Sequence, residues 1–310
     1  MASTRPQWPD LLDPAFRKIY GDEEQQIPVV ANDIFNVLSS SKDSEKDSSA
    51  SGLSKLVETA EGDAITYEDP NQGYDVTYSH RKFTLGSKVT LEMWQDDQFS
   101  VINRRPRDLA KAKARTKEQA AADIFNYGFT AGGGGASTFT SGDGKALFAT
   151  DHTRTDGGTA ISNYSTADLA EDSFETALVN LRATVDNKGQ LILIQPDVLL
   201  IPPALEKEAN ILLQSSGRVG TANNDVNPYR GRLRVIVWDY LGSAAGGSDT
   251  AFYILDKSYH KLNWFNRSDE GLDGPEYDFD TKTAKWSVVC RWSVGFSDFR
   301  GTWGSKGDNS

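Results

Sequence analysis

Few residues in this chain could carry covalent or metal chemistry. The histidines are His80, His152 and His260, and the one cysteine is Cys290. That set offers no zinc-ligand spacing and rules out an intrachain disulfide. Cys290 lies in the apolar run Trp286-Ser-Val-Val-Cys-Arg-Trp292 and reads as an inert buried thiol. Asp151-His152 could be half of a hydrolytic triad, but adjacency in sequence carries no triad geometry. No Gly-x-Ser-x-Gly elbow supplies a nucleophile. Gly142-Asp-Gly-Lys145 glances at a phosphate loop, yet Ala146 stands where Ser or Thr is needed and Phe139 where the first glycine is needed. Asp278-Phe-Asp280 begins like a calcium loop, but Lys282 takes a ligand position and no glycine follows. The Trp and Tyr content could serve a sugar-binding surface, although strand aromatics are more often core or interface residues. No catalytic residue, cofactor or metal is expected.

The elements that would hold these residues are those of an ordinary globular chain. Of 310 residues, 38% are hydrophobic and 25% charged, enough to bury a core in one large domain or two ordinary ones. The formal charge of −11 argues against a dedicated nucleic-acid binder. The start, MASTRPQWPD, lacks the apolar stretch of a secretory signal, and no apolar run reaches membrane-spanning length. A soluble protein of a reducing compartment, without membrane contact, is expected.

Along the chain, Asp13-Pro14 reads as a helix start, with Phe16, Ile19 and Tyr20 on one face and Gly21 as the end. Three such side chains form no core alone and need another surface, in this chain or another. Residues 39–52 read as a polar, Ser-rich linker. Residues 53–94 suggest a thin hairpin with arms Leu56–Tyr67 and Tyr74–Leu85 around a turn at 68–73. Arms of that length reach about 30–35 Å. Such a ribbon is marginal by itself, so it folds back on its own domain or lies on a neighbouring subunit. Residues 96–128 are rich in helix formers, with Asp96 and Asp97 at the start, Pro106 as a kink or restart and Gly128 as the stop. Residues 101–120 hold seven cations, Arg104, Arg105, Arg107, Lys111, Lys113, Arg115 and Lys117, against Asp108 and Glu118. They suit intersubunit ion pairs or contact with packaged nucleic acid. After a Gly/Ser/Thr-rich stretch at 130–165, Ser165-Thr-Ala-Asp168 fits a helix cap, with Phe174, Leu178, Leu181 and Val185 at helical spacing. Strands are expected at Leu191–Ile194, Val198–Ile201, Leu233–Trp238, Ala251–Leu255, Leu262–Phe265 and Lys285–Val294, with a helix around Leu205–Leu213.

Three stretches, in order, carry a resemblance: Trp8-Pro-Asp-Leu-Leu-Asp-Pro-Ala-Phe-Arg-Lys-Ile-Tyr20; Asp96 to Ala110 running on to Asn126-Tyr-Gly-Phe129; and Asp143-Gly-Lys-Ala-Leu-Phe-Ala-Thr-Asp-His152. The chain resembles the Mu-like phage major head subunit family, tailed-phage capsid proteins of the Hong Kong 97-type fold. The Ser-rich insert at 39–52 departs from that pattern.

The resemblance implies an α+β fold. Residues 1–52 would be an N-terminal arm with its linker, and 53–95 the extended E-loop hairpin. Residues 96–186 would be the P-domain, with its long spine helix, Gly-rich loop and second helix. Residues 187–256 would be the A-domain, and 257–310 the P-domain return strands and tail. It implies self-assembly through pentamers and hexamers into an icosahedral shell around double-stranded DNA, made in the bacterial cytoplasm and kept in the virion. Scaffold, portal and decoration proteins would be partners. Intersubunit contacts would come from Trp8, Phe16 and Tyr20 of the arm and from Glu58, Glu61, Asp63, Glu68, Asp69 and Tyr74 of the E-loop. The seven cations of the spine helix would meet a neighbour's E-loop or the genome. An encapsulin-like cargo compartment shares the fold, and a soluble hydrolase built on Asp151 and His152 is a reading from another class.

Overall fold

The computed structural model describes residues 8–70, 72–96, 101–132, 142–217 and 226–308. Helix α1 (Trp8–Gln26) and a short α2 (Ala31–Ile34) lead to strands β1 (Asn36–Ser39), β2 (Ser44–Ala50), β3 (Gln72–Ser79) and β4 (Arg81–Thr90). One turn, α3 (Leu91–Gln95), precedes the long helix α4 (Arg104–Asn126). Then come β5 (Tyr164–Ser165), α5 (Glu171–Arg182), β6 (Val198–Ile201), α6 (Glu206–Gln214), β7 (Arg234–Val237) and β8 (Phe252–Leu255). The last elements are the long pair β9 (Leu262–Asp278) and β10 (Thr283–Phe296), and β11 (Thr302–Ser305). The chain forms two compact units, and α4 runs from the first into the second at residue 121.

The first unit takes residues up to 45, 78–120 and 264–294. Its sheet has the order β1-β9-β10-β4, and β10 pairs antiparallel with β4 from Thr283 opposite Thr90 to Trp292 opposite Arg81. Trp286, Val288, Cys290 and Trp292 alternate along β10, and all four are buried, as a strand's two-residue period requires. The ring of Phe83 stacks on Trp292 at 4.4 Å, and Trp264 lies 5.4 Å from the same indole.

Helix α1 packs on this core. Phe16 and Tyr20, one turn apart, are 2% and 3% exposed, and the Phe16 ring lies 4.7 Å from Trp286. Arg17 pairs with Asp13 at 2.8 Å and donates to the carbonyls of Leu272 and Gly274. Asp13-Pro14, expected as the helix start, therefore lies inside the helix, and Gly21 does not end it. The interior glycine costs about 1 kcal/mol, which the buried aromatic face offsets. The surface these side chains need belongs to their own chain. Phe16 and Tyr20, expected as contacts to a neighbour, spend their faces on the core of their own chain.

Helix α4 begins at Arg104, so Pro106 lies in its first turn. N–H groups there have no intrahelical acceptor, so proline removes nothing and produces no restart. Asp97 lies outside the described residues.

The second unit takes residues 46–77, 121–263 and from 295 on. Its sheet has the order β5-β11-β8-β6-β7. Strands β6 and β7 run parallel, while β8 is antiparallel to both β6 and β11. Phe174, Leu178 and Leu181 of α5 and Ala209 and Leu213 of α6 bury against Leu199, Ile201, Phe252, Ile254 and Trp303. A second aromatic cluster joins Phe125, near the end of α4, to Phe148, Trp238 and Tyr253 at 5.1–6.4 Å. Gly128 is buried against this cluster and has to be glycine, because a Cβ would lie 2.9 Å from the Phe148 ring.

Two expectations fail in this unit. Leu191–Ile194 is not a strand: Leu191 and Leu193 are exposed, and a single bridge ties Leu191 to Val185. Helix α5 starts at Glu171 rather than after Ser165, and the Ser173 hydroxyl accepts from the Ala170 N–H at 3.0 Å.

The hairpin is displaced by one element. Its arms are β2 and β3, so the Ser-rich segment expected as a linker is a strand. Backbone pairing and an ion pair, Lys46 to Asp75 at 2.7 Å, order a sequence with almost nothing to bury. Leu56–Tyr67 forms the loop beyond the ribbon instead of an arm, while β4 pairs into the first unit's sheet.

Candidate assembly surfaces

The loop at 51–70 is the most exposed part of the described chain. Leu56, Val57, Ile65 and Tyr67 show 67–102% of their surface to solvent. A hydrophobic set left bare in this way marks an interaction surface. Glu58, Glu61, Asp63 and Asp69 are exposed among them, so the tip is both apolar and acidic.

Glu68 differs from the other acids. Its carboxylate accepts from the Ser54 N–H at 2.7 Å, from the Ser54 hydroxyl at 2.9 Å and from the ammonium of Lys188. The Lys188 ammonium and the Ser54 donors pull its carboxyl down to about 2. Tyr74 is half-buried at the loop end of the ribbon, and its hydroxyl shares a hydrogen bond with Thr153 at 3.0 Å. Both residues, expected to face a neighbour, are thus engaged within their own unit.

The seven cations of α4 divide in the same way. Lys113 is buried, with its ammonium 2.5 Å from Glu24 and in contact with Asp269. Burial opposes the charge, but the Asp269 and Glu24 carboxylates outweigh it and hold the ammonium's pKa above its ordinary value. Asp269, which also binds Lys117 at 2.9 Å, is held low by the same pair against its own desolvation. Lys111 and Arg107 reach Glu23 at 3.3 and 3.9 Å, and Arg105 donates to Ser87. Arg104 and Arg115 are exposed and show no such tie among the described residues. Lys113, expected to meet DNA or a neighbour's loop, is instead engaged inside its own unit, where its charge is spent on Glu24 and Asp269. Trp8 opens α1, and its side chain lies outside the described residues.

The residues that suggested chemistry have structural roles. His152 is fully buried and stacked on Phe299 at 3.7 Å. Its Nδ1 is 2.8 Å from Asp143 and its Nε2 3.2 Å from Asn163, so both nitrogens are engaged. Asp151 pairs with Lys145 instead, and the hydrolytic pair read from sequence adjacency does not form. Asp278 accepts from the Asp280 and Thr281 N–H groups and so shapes the β9–β10 turn. Burial, with help from Asp269, pushes the Cys290 thiol up to about 11. Among the described residues, no cluster of His, Cys, Asp and Glu could hold a metal, and no helix is long and apolar enough to cross a membrane.

Solved structures share this fold. The capsid of a native GTA particle superposes with a TM-score of 0.59 at 13% identity, covering 90% of this chain and 91% of that one. The capsid of the cyanophage P-SCSP1u gives 0.58 at 14%, covering 89% and 87%. A chain of Gordonia phage Cozz gives 0.56 at 14%, covering 91% of each. No curated protein matches in sequence. At these identities the likeness is one of fold: a mixed α+β fold shared with phage capsids. Sequence evidence comes from a family model described as phage capsid protein, which matches residues 73–304. That span runs from β3 into β11 and takes in the whole of α4 and every strand of the two larger sheets except β1, so the chain belongs to the phage capsid protein family.

Proposed function

We propose that this chain is the major head subunit of a tailed phage. It builds a closed icosahedral shell from pentamers and hexamers around double-stranded DNA, after assembly in the bacterial cytoplasm with scaffold and portal proteins. The observation that carries the reading is the loop at 51–70. It displays apolar and acidic side chains that nothing in its own unit covers, on a chain of the capsid family. The three stretches resembling the Mu-like head subunit family support placing it in that division.

The loop's natural receiver is a second copy of the chain. Its free acids, Glu58, Glu61, Asp63 and Asp69, suit Arg104 and Arg115, the exposed cations at the start and middle of a neighbour's α4. Each contact is weak at the surface. Many contacts per subunit, repeated around a closed lattice, give avidity, and closed symmetry limits growth. The A-domain expected at 187–256 falls within the second unit, which we assign to the shell's symmetry axes.

Expression of the chain alone, with negative-stain imaging, tests the reading. Closed shells, tubes or uniform capsomer rings are expected. A small species at every concentration and salt, also in the presence of a co-expressed scaffold, would defeat it. Reversal of Glu58 and Glu61 to Lys should block assembly, and reversal of Arg104 and Arg115 to Glu in the same chain should restore it.

A further inference from the structure

We propose that Lys188 is a positioning residue for the exposed loop: through Glu68 it latches both legs of the loop to a rigid turn of the second unit and so sets the direction in which the tip is presented. The latch itself is independent of the assembly reading; what the presentation serves rests on that reading.

The latch is built from the turn outward. The Asp186 carboxylate accepts from the N–H groups of Lys188 and Gln190, each at 2.8 Å. The Asp186 N–H donates to the Gln190 carbonyl at 2.8 Å, and Gly189 takes the left-handed φ of +77° that closes the turn. Two bonds to one carboxylate, a backbone bond and a glycine leave this backbone little freedom. Lys188 projects from it with only 16% of its side chain exposed, and its ammonium meets Glu68. Glu68 lies on the returning leg, and its two oxygens hold Ser54 on the outgoing leg by backbone and hydroxyl. Gln190, from the same turn, reaches the Leu53 carbonyl at 3.4 Å. One carboxylate thus ties position 54 to position 68 and both to the body. Between these ties, 55–67 has one backbone bond of its own, Asp63 N–H to Ala60 O at 3.1 Å. A segment with so few internal bonds takes its direction from its anchors.

Paired spin labels test this, one at Thr59→Cys on the tip and one at Asn180→Cys on the exposed face of α5. Labelled chain is diluted with unlabelled chain so that only distances within a subunit are read. Cys290 is buried and does not take label. The unmodified background should give one narrow distance distribution. In Lys188→Glu it should broaden roughly twofold or more, as expected for loss of a tether at a loop root. The exchange Lys188→Glu with Glu68→Lys should narrow it again. Imaging of the same unlabelled variants should show uniform particles giving way to mixed forms in Lys188→Glu and returning in the exchange variant.

An unchanged distribution in Lys188→Glu would overturn the latch. A broadened distribution with assembly unaltered would overturn its positioning role. A wild-type chain with the narrow distribution that forms no assembly counts against the shell reading and leaves the latch supported.

Discussion

Lys113 places its ammonium between Asp269 and Glu24, over the ring of Tyr20, in a unit whose sheet is otherwise lined with tryptophan. Removing one partner of a buried pair strands the other. Lys113→Met should therefore destabilise the subunit by about 2–4 kcal/mol in urea unfolding. The pH window follows from the shifts. Asp269 is held low, so its share is present above the ordinary carboxylate range and is lost as pH falls through its lowered value. Lys113 is held high, so its share is complete below the ordinary lysine value of 10.5 and is lost only as pH rises beyond its raised one. Glu68 follows the acid rule: its bond to Lys188 should stay closed from neutral pH to about 4.5 and open as pH falls toward about 2, seen as broadening of the Thr59–Asn180 distance. Burial of Cys290 was legible in the sequence, because apolar residues alternate around it with the period of a strand. The partners of Lys113 were not: Glu24 lies 89 residues away in sequence, and no local pattern marks one lysine among the three of α4 as the buried one.

At the scale of elements, periodic apolar segments read correctly and sparse ones did not. Val198–Ile201 is β6 with the expected bounds, because four consecutive apolar residues have one buried solution here. Helix α1 ran past its apparent stops because a docked face outweighs a proline and a glycine. Strand β2 was hidden because its order comes from a backbone ladder with β3, and a ladder leaves no trace in hydropathy. Proline at 106 looked like a break, yet position within a helix decides its cost. Pro106→Ala should change stability by less than about 1 kcal/mol and leave helicity unaltered, read by thermal melting and circular dichroism. Gly128→Ala should cost more, about 1–3 kcal/mol in the same melts, since the added methyl meets the Phe148 ring and the Ile124 carbonyl.

For the molecule as a whole, the phage capsid family and the α+β class were legible in the sequence, whereas which charged and aromatic side chains are buried was not. Sequence reveals that a residue is charged or aromatic; only the fold reveals whether that side chain is already engaged at home. Replacing 55–67 by two glycines should leave both sheets folded, with an unchanged circular dichroism spectrum, while abolishing shells in negative stain. The place of β11 has a different consequence. Residues 302–305 lie between β5 and β8, and Trp303 fills the core beneath them. A polypeptide still being translated lacks this strand until residue 305 has been made, so the second unit cannot close on the ribosome before then. Synthesis order thereby acts as a timer: a product truncated before 302 leaves β5 and β8 without the strand between them and the core without Trp303, and should be cut by protease where the longer chain resists.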